Sequence, residues 1–160
     1  KTEAAPAPAP FPAVLGSVAK GAFVPMENLP DQTFSQGVLG MCCGVTPEEG
    51  KVYAPMDGTI SQLAETLHAV GIEAAGVELL IHVGVDTVEM NGTGFRSHVK
   101  EGQAVKKGDL LLTVDLEKVK AAGHPTTIMV AVTNSEDLAS VEAVAAGTVR
   151  PGDQLMRLKA

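Results

Sequence analysis

Between residues 77 and 85 the apolar side chains fall on every second position. Val77, Leu79, Ile81, Val83 and Val85 share one parity, and Glu78, Leu80, His82 and Gly84 share the other. A period of two places one set on each face of a β-strand. Nowhere in the chain does an apolar pattern of helical period run beyond about three turns. Seventeen glycines and ten prolines cut the sequence into short runs. Asp57-Gly58 is a turn dipeptide between two such runs, and Gly102 and Gly108 bracket the approach to the apolar stretch "LLLTV". The remaining glycines, among them Gly84, Gly92 and Gly94, suit turns, bulges or close strand approach. Short strands at this density predict an all-β fold, an antiparallel β-sandwich or barrel-like domain with one or two short helices. One helix is expected over 115–123, closed by Gly123. A second is expected over 135–147, capped by Ser135 and ended by Gly147. The final "QLMRLK" reads as a strand.

A chain of 160 residues is long enough for one domain with a full core. Aromatic residues make up only 3% and Trp is absent, so the core must be built from Val, Leu, Ile and Ala. Residues 1–13 open with an Ala-Pro tract, which is stiff and does not pack. This stretch reads as the end of an interdomain linker, with residues 14–160 as the folded domain and a larger polypeptide upstream. The net charge of −7 argues against nucleic-acid binding, which needs a cationic footprint, and fits a partner with a basic patch. No apolar run approaches the length of a membrane span. Cys42 and Cys43 are adjacent and lack zinc-ligand spacing; they read as two small apolar residues.

Four histidines are present: His68, His82, His98 and His124. His98 and His124 read as surface or hairpin residues. His82 interrupts a strand otherwise given to apolar side chains, and an imidazole there must satisfy both a donor and an acceptor. His68 lies in the preceding β-patterned run. If the two runs pair as antiparallel neighbours, both rings point from one face, and Thr66, of the same parity as His68, can fix that ring's tautomer. Paired imidazoles can bind a metal, perform acid–base chemistry or carry a phosphoryl group. A catalytic metal site usually needs a third protein ligand. Asp86 follows His82 in H-x-x-x-D spacing, which in a straight strand separates the two side chains by more than about 10 Å. No glycine-rich nucleotide loop is present.

The segments "VPMENLPDQTFSQGVLG", "KVYAPMDGTI", "ETLHAVGIEAAGVELLIHVGVDTVEMNGTGF", "VKEGQAVKKGDLLLTVDLEKVK" and "VTNSEDL" together resemble the glucose-type enzyme IIA domain of the bacterial phosphoenolpyruvate-dependent sugar phosphotransferase system. The resemblance covers nearly everything from about residue 14 onward. It implies a β-sandwich that relays phosphate. His82 matches the histidine that is transiently phosphorylated through Nε2, His68 the second histidine that stabilises the phosphoryl group, and Thr66 the threonine that orients His68. Asp31 and Asp86 match acidic residues at the rim, and Phe34, Val38, Leu39 and Leu80 belong to its apolar part. The implied donor is the phosphocarrier protein HPr. The implied acceptor is a cysteine on a sugar-specific IIB domain, often in the same polypeptide. The Ala-Pro tract would then tether a cytoplasmic domain to a membrane permease. No cofactor is implied; His68 and His82 could hold Zn²⁺ only if a partner supplied a further ligand.

Two departures stand out. Family members commonly read G-D-G where this chain reads "GMCCG", which puts the local turn in doubt because Cys42 suits positive φ poorly. Ala64 stands at a position that can be Phe, with consequences for partner preference. Rival readings fare less well. "VYAPMDGTI" and "VKEGQAVKKGDLL" look like a biotinyl or lipoyl carrier domain, but Lys106-Lys107 sits in the turn itself without the usual context for a modified lysine. A zinc peptidase would want an H-x-H element, and His98 is followed by Val99-Lys100. A regulatory binding role on the same face is compatible with transfer. The sugar is not legible.

Overall fold

The computed structural model describes residues 11–160. The strands are β1 (Val14–Gly16), β2 (Gly21–Val24), β3 (Met41–Pro47), β4 (Lys51–Tyr53), β5 (Gly58–Leu63), β6 (Ala69–Ala74) and β7 (Val77–Val83). They continue as β8 (Phe95–Ser97), β9 (Ala104–Val105), β10 (Leu110–Val114), β11 (Ile128–Val132), β12 (Ser140–Ala143), β13 (Thr148–Val149) and β14 (Gln154–Lys159). Two short helices, α1 (Gln32–Ser35) and α2 (Leu116–Ala121), complete the fold. An eight-stranded sheet runs β13-β2-β3-β11-β7-β6-β5-β9, and two three-stranded sheets run β1-β14-β12 and β4-β10-β8. Every pairing among the described residues is antiparallel. This is the expected β-sandwich.

The main core draws on all three sheets. Leu15 and Leu155, Val52 and Leu112, Ile72 and Ile81 all belong to one buried cluster. Each fully buried Leu or Ile contributes about 1.5–3 kcal/mol through removal of apolar surface from water. A second, smaller cluster sits on the outer face of the large sheet. There Leu29 and Phe34 cover Cys42 of β3 and Met129 and Ala131 of β11, with Leu39, Leu80 and Val85 packed alongside. Strand β11 is therefore buried at all five positions.

The expected helix over 115–123 forms as α2, capped by the Asp115 side chain on the Lys118 N–H, and Gly123 follows it at φ 86°. The expected helix over 135–147 does not form. Residues Ser135–Asp137 make one 3₁₀ turn, and Ser140–Ala143 pair as strand β12 against β14. Pairing with an otherwise open strand satisfies the backbone here, and tertiary context outweighs the helical propensity of Glu and Ala. The doubt over "GMCCG" resolves in the same region of the sheet. The left-handed residue is Gly40, at φ 110°, while Met41, Cys42 and Cys43 run as ordinary strand. A Cβ at Gly40 would lie 2.1 Å from the Val132 carbonyl oxygen, so glycine is required there and not two positions later. Cys43 faces the main core and Cys42 the outer cluster, so both act as small apolar residues. The reading of residues 1–13 as a linker falls mostly outside the described residues. Within its last three residues, Phe11 packs against the main core and the Ala13 carbonyl accepts a hydrogen bond from the Leu158 N–H.

Candidate functional site

Strand β7 carries the central feature. Val77, Leu79, Ile81 and Val83 are buried in the main core, and the opposite face presents Leu80 and His82, each half-buried. The alternation stops at Val83. Gly84 turns the chain at φ 78° and Asp86 adopts a left-handed conformation at φ 59°. Val85 therefore departs from its expected place in the main core and packs in the outer cluster, on the histidine side. Asp86 leaves the strand as well, so the separation expected for a straight strand does not apply. Its charge acts on His82.

Strands β6 and β7 form an antiparallel hairpin in which Ala69 lies opposite His82. His68 precedes β6 by one residue, and its carbonyl accepts from the Val83 N–H at 2.7 Å, which extends the hairpin ladder to the histidine. The ladder brings the two rings together. Their centroids are 5.0 Å apart and the planes meet at 76°. The Thr66 hydroxyl lies 2.6 Å from His68 Nδ1. On the other side of His82, the Phe34 ring packs with its centroid 5.4 Å away.

His82 Nδ1–H donates to the Gly84 carbonyl at 2.8 Å. A carbonyl can only accept, so in the neutral ring the proton sits on Nδ1 and Nε2 keeps its lone pair. Burial pushes the His82 pKa below the ordinary histidine value of 6.5; the Gly84 carbonyl, Asp31 and Asp86 act in the opposite direction without reversing it. His68 is also lowered, by burial and then by the neighbouring His82. Both rings are thus held toward the neutral form near pH 7.

The remaining residues singled out in the sequence surround this pair unevenly. Asp31 caps α1, its carboxylate accepting from the Thr33 N–H at 2.8 Å. Phe34 is only 3% exposed and so is a wall of the site more than a rim. Leu39 and Leu80 are half-buried beside it, while Val38 is 69% exposed. His98 is exposed and bonds Thr113, and His124 follows α2; neither joins the pair. Three contributors were not linked to the histidine pair from the sequence: the Gly84 carbonyl, Met129 opposite His82 on β11, and the Cys42 thiol, which donates to the Phe34 carbonyl at 3.0 Å. The unbroken apolar run "IMVAV" was the available signal, since a strand buried on both faces must lie beneath a second layer.

His68 and His82 are each half-buried, so neither ring is sealed beneath the sheet. A groove of about 730 Å³ lies at the Ala75-Gly76 end of the same hairpin, away from both histidines. No cluster of three or more His, Cys, Asp or Glu side chains suited to a metal ion occurs among the described residues.

Residues 13–138 match the family described as phosphoenolpyruvate-dependent sugar phosphotransferase system, EIIA 1. The chain belongs to this family. Among its EIIA relatives, the glucose-specific EIIA component of Halalkalibacterium halodurans is 46% identical over 83% of the chain and 78% of the relative. The beta-glucoside-specific EIIBCA component of Dickeya chrysanthemi is 41% identical over 99% of the chain, which spans only 28% of that longer protein. A solved glucose permease IIA from Mycoplasma capricolum superposes with a TM-score of 0.81 at 31% identity, covering 89% of this chain and 93% of the other. Several EIIA relatives are fused to B and C components. In the present EIIA domain no described helix is long and apolar enough to cross a membrane.

Proposed function

We propose that this EIIA domain relays phosphate through His82 Nε2, accepting it from phospho-HPr and passing it to the cysteine of a IIB domain. The observation that carries the reading is the Nδ1–H bond of His82 to the Gly84 carbonyl, which leaves Nε2 unprotonated beside the His68 ring. In the first step the P–N bond of the donor breaks as a P–Nε2 bond forms on His82. In the second the P–Nε2 bond breaks as a P–S bond forms on the acceptor thiolate. The group is already activated, so catalysis here is positioning and electrostatic stabilisation. With Thr66 donating its hydroxyl proton to Nδ1, His68 presents Nε2–H to the phosphoryl oxygens.

Asp31 and Asp86 supply acidic contacts for basic groups of the partners, and Phe34, Val38, Leu39 and Leu80 supply the apolar ones. Neither step calls for a bound cofactor. A metal ion would sit between His68 and His82 only in a complex whose partner adds a ligand. The IIB domain lies in the same polypeptide in this reading, with residues 1–13 as the tether that raises its effective concentration and links the domain to a permease at the cytoplasmic membrane face.

The experiment is phosphotransfer from ³²P-labelled phospho-HPr. Wild type takes up acid-labile, base-stable label and His82→Ala takes up none. Undiminished labelling of His82→Ala, or base-labile label, overturns the assignment.

A further inference from the structure

The carbonyl that fixes the His82 tautomer belongs to a glycine. Gly84 lies just past the end of β7 at φ 78°, and a residue without a Cβ turns its peptide planes at little steric cost. The two planes that meet at its Cα are held from outside. In the first, the Gly84 N–H donates to the Thr127 carbonyl at 2.9 Å, and the Val83 carbonyl accepts from the Thr87 hydroxyl at 2.5 Å. In the second, the Val85 N–H donates to the Pro125 carbonyl at 3.2 Å, and the Gly84 carbonyl accepts from His82. Each plane is gripped at both ends. Of these grips, only the Thr87 hydroxyl and the His82 ring come from side chains.

Thr87 opens the 3₁₀ turn Thr87–Met90 and is 0% exposed. A buried hydroxyl costs stability unless it is bonded, and valine would fill the same volume without that demand. The methyl of Thr87 has its own place. A Cβ added to Gly84 would lie 2.5 Å from Thr87 Cγ2 and 2.9 Å from the Pro125 oxygen. The methyl thus fills the space a side chain on Gly84 would need, while the hydroxyl holds the Val83 carbonyl. Without that hydroxyl the buried carbonyl lacks its donor, and the freedom of Gly84 gives the two planes a way to rotate in search of another.

We infer that Thr87 is a positioning residue of the relay: through the peptide planes on either side of Gly84, its side chain aims the Gly84 carbonyl at His82 Nδ1 and so keeps Nε2 free for phosphorus. The inference rests on the relay reading above and adds a residue whose hydrogen bond goes to neither imidazole. A carbonyl turned away from Nδ1 lets the proton of the neutral ring move to Nε2, where it blocks attack. The same carbonyl acts again as Nε2 bonds to phosphorus. The ring then gains positive charge, and a fixed dipole at Nδ1–H stabilises it.

The test compares two variants. Thr87→Val keeps the shape of the side chain and removes the hydroxyl; Thr87→Ser keeps the hydroxyl and removes the methyl. With phospho-HPr as donor, Thr87→Val is expected to lower kcat for phosphoryl acceptance about 5- to 10-fold, the factor of one net hydrogen bond, with the KM for phospho-HPr unmoved. Its ¹⁵N spectra should show His82 divided between the two neutral tautomers. Thr87→Ser should keep most of the wild-type rate and the Nδ1–H tautomer. A wild-type kcat in Thr87→Val, a His82 that stays wholly Nδ1–H there, or a Thr87→Ser as slow as Thr87→Val overturns the assignment. If wild type takes no label from phospho-HPr, the relay reading fails and this one with it; if wild type is labelled and Thr87→Val matches it, the Thr87 assignment fails alone. NMR of the unmodified chain gives a reading free of any folding defect in the variants. The Thr87 hydroxyl proton should exchange slowly with water, and exchange as fast as that of an exposed threonine overturns the assignment.

Discussion

The imidazole rings of His68 and His82 meet edge to face at 5.0 Å between centroids, although fourteen positions separate them in the chain. The β6–β7 hairpin register makes this contact, since Ala69 opposite His82 leaves His68 at the next ladder position. Two cationic rings at that distance would repel. Burial, together with the mutual effect felt at His68, therefore favours the neutral pair.

That preference gives a pH dependence with a definite sign. Both histidines have folded-state pKa values below the ordinary 6.5. A depressed value contributes stability that is fully present above the unfolded pKa and is lost as pH falls through the folded one. Thermal stability should therefore decline on acidification below about pH 6.5. The decline should be shallower in the double variant His68→Gln/His82→Asn. The rate of phosphoryl acceptance should fall over the same acid range, as Nε2 gains a proton. Melting curves and transfer rates from pH 5 to 8 check both.

Thr66→Val keeps the shape of the side chain and removes the hydroxyl 2.6 Å from His68 Nδ1. His68 then loses its fixed tautomer. Phosphoryl transfer to the acceptor should slow about 5- to 10-fold, in keeping with the loss of one net hydrogen bond of about 1 kcal/mol. Single-turnover transfer measures this, and ¹⁵N spectra should show His68 populating both tautomers.

Phe34→Ala removes a ring that is 3% exposed and packs on His82. A large-to-small change at such a site costs about 3–5 kcal/mol. It also opens His82 to water, so the His82 pKa should rise toward its ordinary value. Denaturant melts give the first effect and an NMR titration of the ring gives the second.

Gly40→Ala tests the turn that leads into β3. At φ 110°, with the Val132 oxygen 2.1 Å from any added Cβ, alanine strains both backbone and contact. The expected loss exceeds about 1 kcal/mol. Cys42→Gly, one residue into the strand, should gain nothing in this turn, because Cys42 has no positive φ to relieve.

Much of this was legible in the residues themselves. The alternation of Val77, Leu79, Ile81 and Val83 exposes the strand, its buried face and the placement of His82 on the other. The common parity of Thr66 and His68 anticipates their contact. Two kinds of information were not legible. The first is where a strand stops: Val85 continues the alternation in sequence, yet Gly84 turns it into the outer cluster. The second is tertiary cover. Nothing near His82 in sequence indicates that Phe34 packs on it or that the Cys42 thiol supports Phe34. The segment 135–147 failed for the same reason, since the edge of β14 that draws Ser140–Ala143 into a strand lies outside the segment itself.

The most direct measurement is heteronuclear NMR of the chain charged by phospho-HPr, with ¹⁵N-labelled histidine. Phosphorus coupled to Nε2 of His82, with Nδ1 still protonated toward Gly84, is the predicted result. Coupling to Nδ1, or to either nitrogen of His68, His98 or His124, would contradict it.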